Sequence, residues 1–158
     1  TVPLLGVVLL VMIIGSASGS KSLANTTILT GVPSGFTSID RVTNGWQRSD
    51  LVILAGRPGM GKTAFVLGIA RNAAVDHKKP VAIFSLEMSS LQLVTRLISG
   101  ETELPGEKFR SGKLADYEWE QLNARVQNLS DAPIFIDDTP ALTVLDLKAK
   151  ARRLKRQR

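Results

Sequence analysis

The sequence predicts an α/β fold of three layers, in which helices cover both faces of a mainly parallel sheet. Three short apolar runs, at residues 51–55, 81–86 and 133–136, alternate with longer stretches in which apolar residues recur at steps of three and four. Short runs that are apolar throughout are typical of strands buried on both faces, and the longer stretches are typical of amphipathic helices. Since strands that alternate with helices pair in parallel, the pattern favours a parallel sheet with helices on its faces.

The composition excludes several classes of site. The chain has 158 residues, 44% hydrophobic and 22% charged, which is enough for one globular domain with its own core. It contains no cysteine, so a disulfide framework, a thiolate metal site and a cysteine nucleophile are excluded. The only histidine, His77, lies in a polar helix end, where we expect a solvated rather than a catalytic side chain.

The net charge of +6 comes from one end of the chain. Seven of the twenty basic residues lie at positions 148–158, and the other 13 nearly balance the 14 acidic residues. A basic run at helical spacing is more often a solvated helix face than a nucleic-acid site. The charge alone is therefore a weak indication of DNA binding.

Residues 1–30 are expected to lie outside the domain, as an apolar leader followed by a small, polar linker. The first charged residue is Lys21. Three interpretations of the leader stay open: a segment foreign to the domain, a membrane or export segment, and a buried strand. Its apolar part is shorter than the roughly 20 residues of a spanning helix, and the basic start of a signal peptide is absent. We therefore expect no membrane partner.

The domain is expected to span residues 31–158 and to open with a turn-rich entry. Residues 37–42 predict a short helix that ends at Asn44. Phe36 and Trp46 are expected to pack as core beside the first strand, rather than to stack on a nucleotide base.

A phosphate-binding loop follows the first apolar run, because residues 56–63 read G-x-x-x-x-G-K-T. Glycine permits the turns and close approach that let successive backbone N–H groups surround a phosphate. Lys62, a candidate catalytic residue, is expected to contact the β and γ phosphates, and Thr63 to offer its hydroxyl to Mg²⁺. A helix that starts here also points its positive end at the anion. The residues expected to line this nucleoside-triphosphate site are Gly56, Arg57, Pro58, Gly59, Met60, Gly61, Lys62, Thr63 and Ala64.

Three further helices are indicated by caps and apolar stripes. Ser89 and Gln92 have the spacing of a capping box, and Thr143 and Asp146 form another cap. Glu118 is expected to face solvent. The residues expected to face the core are Leu91, Val94, Leu97 and Ile98 in the first of these helices, Trp119, Leu122, Val126 and Leu129 in the second, and Val144, Leu147, Ala151 and Leu154 in the third.

Three carboxylates follow the predicted strands, where ligands of parallel sheets bind: Glu87, Asp137 and Asp138. A P-loop ATPase needs one acid to hold Mg²⁺ and another to orient or deprotonate the attacking water. The apolar run before Asp137 is typical of a metal-holding aspartate. Both aspartates are equally compatible with caps of a strand or turn, and Glu87 with a helix-leading acid that the helix dipole favours.

Four separated motifs, with the entry at residues 31–46, closely resemble the DnaB-type replicative DNA helicases. The resemblance covers residues 30–158, and the motifs occur in the order of that family. They are Gly56-Arg57-Pro58-Gly59-Met60-Gly61-Lys62-Thr63-Ala64, Phe84-Ser85-Leu86-Glu87-Met88-Ser89, Ile136-Asp137-Asp138-Thr139-Pro140 and Lys150-Ala151-Arg152-Arg153-Leu154.

The resemblance implies a cytoplasmic RecA-like motor that assembles as a homo-hexamer and uses ATP and Mg²⁺ to unwind DNA in replication. It implies that Glu87 is the catalytic base and that single-stranded DNA passes through the ring. Primase and a helicase loader are implied as further partners. The family's metal-holding aspartate lies on a later strand, which leaves Asp137 as a second-rank metal ligand.

The sequence lacks several parts of that family: the upstream primase-binding domain, and the downstream metal aspartate, DNA-binding loops and arginine finger. We therefore expect a fragment of the motor domain, which binds nucleotide weakly and does not unwind DNA. Two alternatives stay open, another RecA-like ATPase and a non-catalytic nucleotide-binding module.

Overall fold

A computed structural model describes residues 9–13, 29–48 and 50–157 of the chain. Its helices and strands, in chain order, are β1 Leu9–Ile13, α1 Thr37–Thr43, α2 Lys62–Arg71 with a π-helical continuation at Asn72–Asp76, β2 Val81–Ser85, α3 Ser90–Thr102, α4 Gly106–Ser111, α5 Asp116–Ser130, β3 Ile134–Asp137 and α6 Val144–Arg156. None of the described helices is long and apolar enough to cross a membrane.

The sheet has the strand order β1-β2-β3, with β2 in the centre. The parallel pairing predicted for β2 and β3 is confirmed, with Val81 opposite Ile134. β1 pairs antiparallel with β2, with Leu9 opposite Ser85, so this part of the leader forms a strand. Residues 1–8 and 14–28 lie outside the described residues, and the predicted domain boundary at residue 30 stays a prediction.

Each face of β2 is covered by helices, which confirms the predicted three layers. Val81 and Ile83 of β2 belong to a core shared with α2 and α3. Ala82 and Phe84 point to the opposite face, where they pack with Ala151 of α6. This division follows from the strand period of two, which sends alternate side chains to opposite faces.

Residues 51–55 do not form the predicted strand. Their side chains are exposed, and Ile53 retains 80% of its accessible surface. In the described part of the chain these residues make no backbone hydrogen bond, and both edges of β2 are taken by β1 and β3. The prediction was wrong because apolar composition indicates burial but does not supply a partner strand.

The helix at the end of the entry is confirmed, and its closing residue Asn44 adopts the left-handed conformation at φ 58°. Trp46 packs against the main core as predicted. Phe36 is about one-third exposed and packs instead on Phe65 of α2, with ring centroids 5.0 Å apart.

The apolar faces of the later helices differ from the predicted ones at four positions. On α3, Leu91 is 75% exposed and Val94 is also exposed, while Leu93 is fully buried. Leu93 and Leu97 lie four residues apart, so they form a stripe that competes with the predicted one, and packing against α2 and α5 selects it. The other two exposed residues, both predicted to be buried, are Trp119 and Val144.

Glu118 of α5 is buried, at 3% exposure, although it was predicted to face solvent. Its carboxylate accepts hydrogen bonds from the Lys108 ammonium and from the backbone N–H of Ala115, at 3.0 Å for the latter. The charge is tolerated inside because both partners satisfy it. Spacing within α5 gives no sign of Lys108, which lies on α4.

Candidate nucleotide-binding site

The glycines of the loop at residues 56–63 adopt conformations that other residues rarely reach. Gly59 has φ 77°, and Gly61, which caps the N-terminus of α2, has φ 81°. A Cβ atom at either position meets no heavy atom within 4 Å, so backbone conformation, not space, requires glycine there. The loop therefore turns directly into the first turn of α2 with its backbone N–H groups leading the helix.

Lys62 closes the loop on itself. Its ammonium donates hydrogen bonds to the backbone carbonyls of Gly56 and Arg57, at 2.9 and 3.2 Å. One positive charge is thus held between the start of the loop and the start of α2. Because ammonium groups and helix N-termini both attract anions, this end of α2 suits a phosphate.

Thr63 follows in the first turn of α2 and is partly buried. Within the described part of the chain its hydroxyl has no hydrogen-bond partner. A free hydroxyl oxygen beside a bound triphosphate is a suitable ligand for Mg²⁺. The residues of the loop therefore fit a nucleoside triphosphate with its metal ion.

Glu87 lies in an exposed turn between β2 and α3. The buried side chain of Ser85 closes this turn, because its hydroxyl donates to the carbonyl of Met88 at 2.7 Å and accepts from the N–H of Met88 at 3.1 Å. The Glu87 carboxylate has no hydrogen bond or ion pair with the other described residues. It is therefore free to act on a ligand or a water.

Side chains accept hydrogen bonds from the backbone N–H groups at the start of α3. The predicted capping box is confirmed: Ser89 accepts from the N–H of Gln92, and the Gln92 side chain accepts from the N–H of Ser89. Asp138, which follows β3, accepts from the N–H of Ser90 at 2.6 Å. This backbone hydrogen bond lowers the pKa of Asp138 below its ordinary value.

The Asp137 carboxylate already has hydrogen-bond partners within the protein. It accepts hydrogen bonds from the Lys150 ammonium at 2.5 Å and from the N–H of Thr139 at 3.0 Å. Lys150 first, and then Thr139, lower the pKa of Asp137 below its ordinary value. These contacts favour the cap-like interpretation over the metal-holding one. Among the described residues, no group of three or more acidic or histidine side chains is arranged to hold a metal ion.

The structure thus brings Lys62 together with Gly56 and Arg57, and it places Glu87 on a turn braced from β3 by Asp138. The bracing role of Ser85 was not predicted. Its signal in the sequence is a serine at the last inward position of a buried strand, where a hydroxyl needs a partner.

Comparison with known proteins shows the family to which the chain belongs. The family model described as DnaB-like helicase C terminal domain matches residues 31–158. The replicative DNA helicase DnaB of Geobacillus stearothermophilus is 51% identical over 129 residues, which are 82% of this chain and 28% of that protein. The chain therefore spans less than a third of that relative.

Two solved structures also match, each with a TM-score of 0.78 and 36% identity over 82% of this chain. One is described as an ATPase domain, of which 46% is covered. The other is described as a DnaB-like replicative helicase and its interactions with primase, of which 31% is covered. These matches confirm the predicted RecA-like α/β fold.

Proposed function

Because the chain belongs to the family of DnaB-like helicase C-terminal domains, we propose that it is the nucleotide-binding part of an ATP-driven replicative DNA helicase motor. The observation that carries the proposal is the loop at residues 56–63. Its glycines turn into α2 at positive φ, and Lys62 bridges its two ends. This is a site for the phosphates of ATP.

Each residue of the site has a role that follows from its position. The backbone of residues 56–64 and the Lys62 ammonium hold the phosphates, and the Thr63 hydroxyl is a ligand of Mg²⁺. Bound ATP with Mg²⁺ supplies a phosphoryl group open to attack by water. Glu87, whose carboxylate is free, orients that water and accepts its proton. Asp137 is a less favoured candidate for a metal ligand, since its carboxylate has to leave its ion pair with Lys150 before it can bind a metal.

The activity of the whole protein belongs to this proposal as well. We infer hydrolysis of ATP coupled to DNA unwinding by a homo-hexamer, with single-stranded DNA in the ring channel, in the cytoplasm. Primase and a helicase loader are the further partners. The structural relative whose description includes its interactions with primase supports the first of these. The division into a leader at residues 1–30 and a motor segment at residues 31–158 is supported by the matched range.

Two substitutions test the proposal. In the chain itself, Lys62→Ala is expected to weaken binding of ATP with Mg²⁺ about 100-fold or more, because charge-assisted contacts to phosphate are lost. Titration calorimetry measures this. Lys113→Ala, at an exposed lysine outside the loop, is the matched control and should leave the affinity unchanged.

Turnover is measured in a chimera in which residues 31–158 replace the matched segment of the Geobacillus relative. Glu87→Gln should retain ATP affinity and reduce ATP hydrolysis and DNA unwinding by about 100-fold or more, since general-base catalysis contributes about that much. Glu120→Gln, at an exposed glutamate of α5, is the control. Full turnover in Glu87→Gln contradicts the catalytic role of Glu87, whereas a parent chimera that binds ATP without hydrolysing it favours a non-catalytic nucleotide-binding module.

A further inference from the structure

Two side chains outside the predicted catalytic set hold the turn that carries Glu87. We propose that Ser85 and Asp138 are positioning residues, which fix the direction of the Glu87 carboxylate for hydrolysis. The inference deepens the proposed function and rests on the role assigned there to Glu87.

Strand alternation brings Ser85 to this position. Val81 and Ile83 of β2 point into the core shared with α2 and α3, and Ser85, two residues further, points the same way. It is 4% exposed, so its hydroxyl needs partners inside the protein. It finds both in the backbone of Met88, one as donor and one as acceptor.

This pair of bonds shapes the turn. With residues 85 and 88 tied together, the two residues between them have to project outward, and both Leu86 and Glu87 are exposed. Met88 in turn packs against the core, which anchors the far side of the turn. Glu87 is therefore an exposed side chain on a backbone that is fixed on both sides.

Asp138 acts from the neighbouring strand. In β3, Ile134 and Ile136 face the core shared with α2 and α3, so by alternation Asp138 lies on that side and Asp137 on the side of α6. The contacts agree: Asp138 accepts from Ser90 of α3, and Asp137 accepts from Lys150 of α6. Asp138 thus ties the first residue of α3 to the end of β3.

Glu87 lies between these two anchors. Residue 85 is fixed by the sheet and by Met88, and residue 90 by β3, so the intervening backbone has little freedom to rotate. A general base has to lie within hydrogen-bond reach of its proton, and misplacement by about 1 Å lowers rates by about 100-fold. The role of both residues is therefore to set geometry rather than to contact the substrate.

The test uses the Geobacillus chimera and measures kcat and KM for ATP hydrolysis. Ser85→Ala is expected to lower kcat about 10- to 100-fold and to leave KM within about 3-fold, because the phosphate loop is untouched. Asp138→Ala should lower kcat about 10-fold, and Asp138→Asn, which keeps an acceptor oxygen for Ser90, should retain most of the activity.

Two controls remove similar bonds elsewhere. Ser99→Ala deletes a hydroxyl that donates to the carbonyl of Leu104 at the far end of α3. Asp146→Ala removes the carboxylate that accepts from the N–H and the hydroxyl of Thr143 at the start of α6. Both variants should leave kcat within about 2-fold, since neither touches the Glu87 turn.

A double-mutant cycle separates positioning from general stability. In a Glu87→Gln background, Ser85→Ala and Asp138→Ala should cause no further loss of the residual kcat, because there is no base left to orient. Equal losses with and without Glu87, or an unchanged kcat in both single variants, would overturn the positioning role. If Ser85→Ala does not fold, the kcat of the surface variant Asp138→Ala, measured with and without Glu87, tests the positioning role by itself. Full turnover in Glu87→Gln instead removes the general-base role that the proposed function assigns to Glu87, and the positioning role falls with it.

Discussion

The loop at residues 56–63 and the turn that carries Glu87 are held in place in different ways. The loop is held locally, by glycine conformation, by the start of α2 and by Lys62 bonding to its own backbone. The run that precedes it is exposed and unpaired with the rest of the described chain. The Glu87 turn is held by buried β2 and by Asp138 from β3.

The difference separates binding from turnover in physical terms. A locally held loop retains its shape when the distant core is perturbed, because the bonds of Lys62 connect residues no more than 6 positions apart. The Glu87 turn depends on residues as far as 48 positions away. Damage to the sheet is therefore expected to affect the catalytic turn before it affects phosphate binding.

The largest expected effect comes from the core beneath the turn. Ile83→Ala, at a fully buried site of β2, should lower the free energy of unfolding by about 3 kcal/mol because it leaves a cavity. It should also speed hydrogen exchange at residues 85–90 more than at residues 56–63. Urea unfolding and hydrogen-exchange mass spectrometry measure the two effects.

Ile53→Ala is the matched substitution in the exposed run before the loop. Since Ile53 is 80% exposed, the same truncation should change the free energy of unfolding by no more than about 0.5 kcal/mol. A loss comparable to that of Ile83→Ala would show that residues 51–55 are buried in solution, and the contrast between the two regions would disappear.

The loop itself should respond to a change of backbone conformation. Gly61→Ala places a side chain at φ 81°, where it costs about 1–2 kcal/mol, so we expect ATP binding to weaken about 10-fold. A fluorescent ATP analogue measures the affinity. Gly100→Ala, in α3 with open space around it, should instead stabilise the fold by about 0.5–1 kcal/mol. Equal affinity in Gly61→Ala and the parent chain would refute the conformational requirement.

The smallest expected effect concerns the ion pair between Asp137 of β3 and Lys150 of α6. Because Lys150 lowers the pKa of Asp137 in the folded state, their pair stabilises the fold above about pH 4, where the unfolded carboxyl is ionised. As the pH falls below that value the carboxylate takes up a proton and the contribution, at most about 1 kcal/mol, is lost.

Urea unfolding between about pH 2.5 and 6 measures this contribution. Asp137→Asn should flatten the acid end of the stability curve. Asp131→Asn, at a carboxyl that has no ion pair among the described residues, should leave the curve nearly unchanged. Identical acid profiles for Asp137→Asn and the parent chain would show that the pair does not contribute.

Local signals in the sequence predicted local structure well. The cap at Ser89, the cap at Thr143 and the end of α1 at Asn44 were confirmed, because each depends on residues a few positions apart. The glycine pattern of the loop likewise predicted a turn into a helix. The resemblance to DnaB-type helicases was confirmed, because four such local motifs occur in one order.

Features that depend on distant partners could not be predicted in this way. Leu93 rather than Leu91 faces the core because α2 and α5 pack on that side, and Glu118 is buried because Lys108 of another helix reaches it. The run at residues 51–55 has the composition of a strand but no partner among the described strands. The roles of Ser85 and Asp138 also arise only when strands and helices are assembled.

The two consecutive aspartates also make the length of β3 critical. Asp137 and Asp138 bond to opposite sides of the sheet, so one inserted or deleted residue within Ile134–Asp137 turns each carboxylate toward the wrong helix. A deletion of that kind breaks the attachment of α3 and of α6 together, whereas an insertion in the loop before α6 spares the attachment of α3. We therefore expect the strand to tolerate substitution at its apolar positions better than a change in its number of residues.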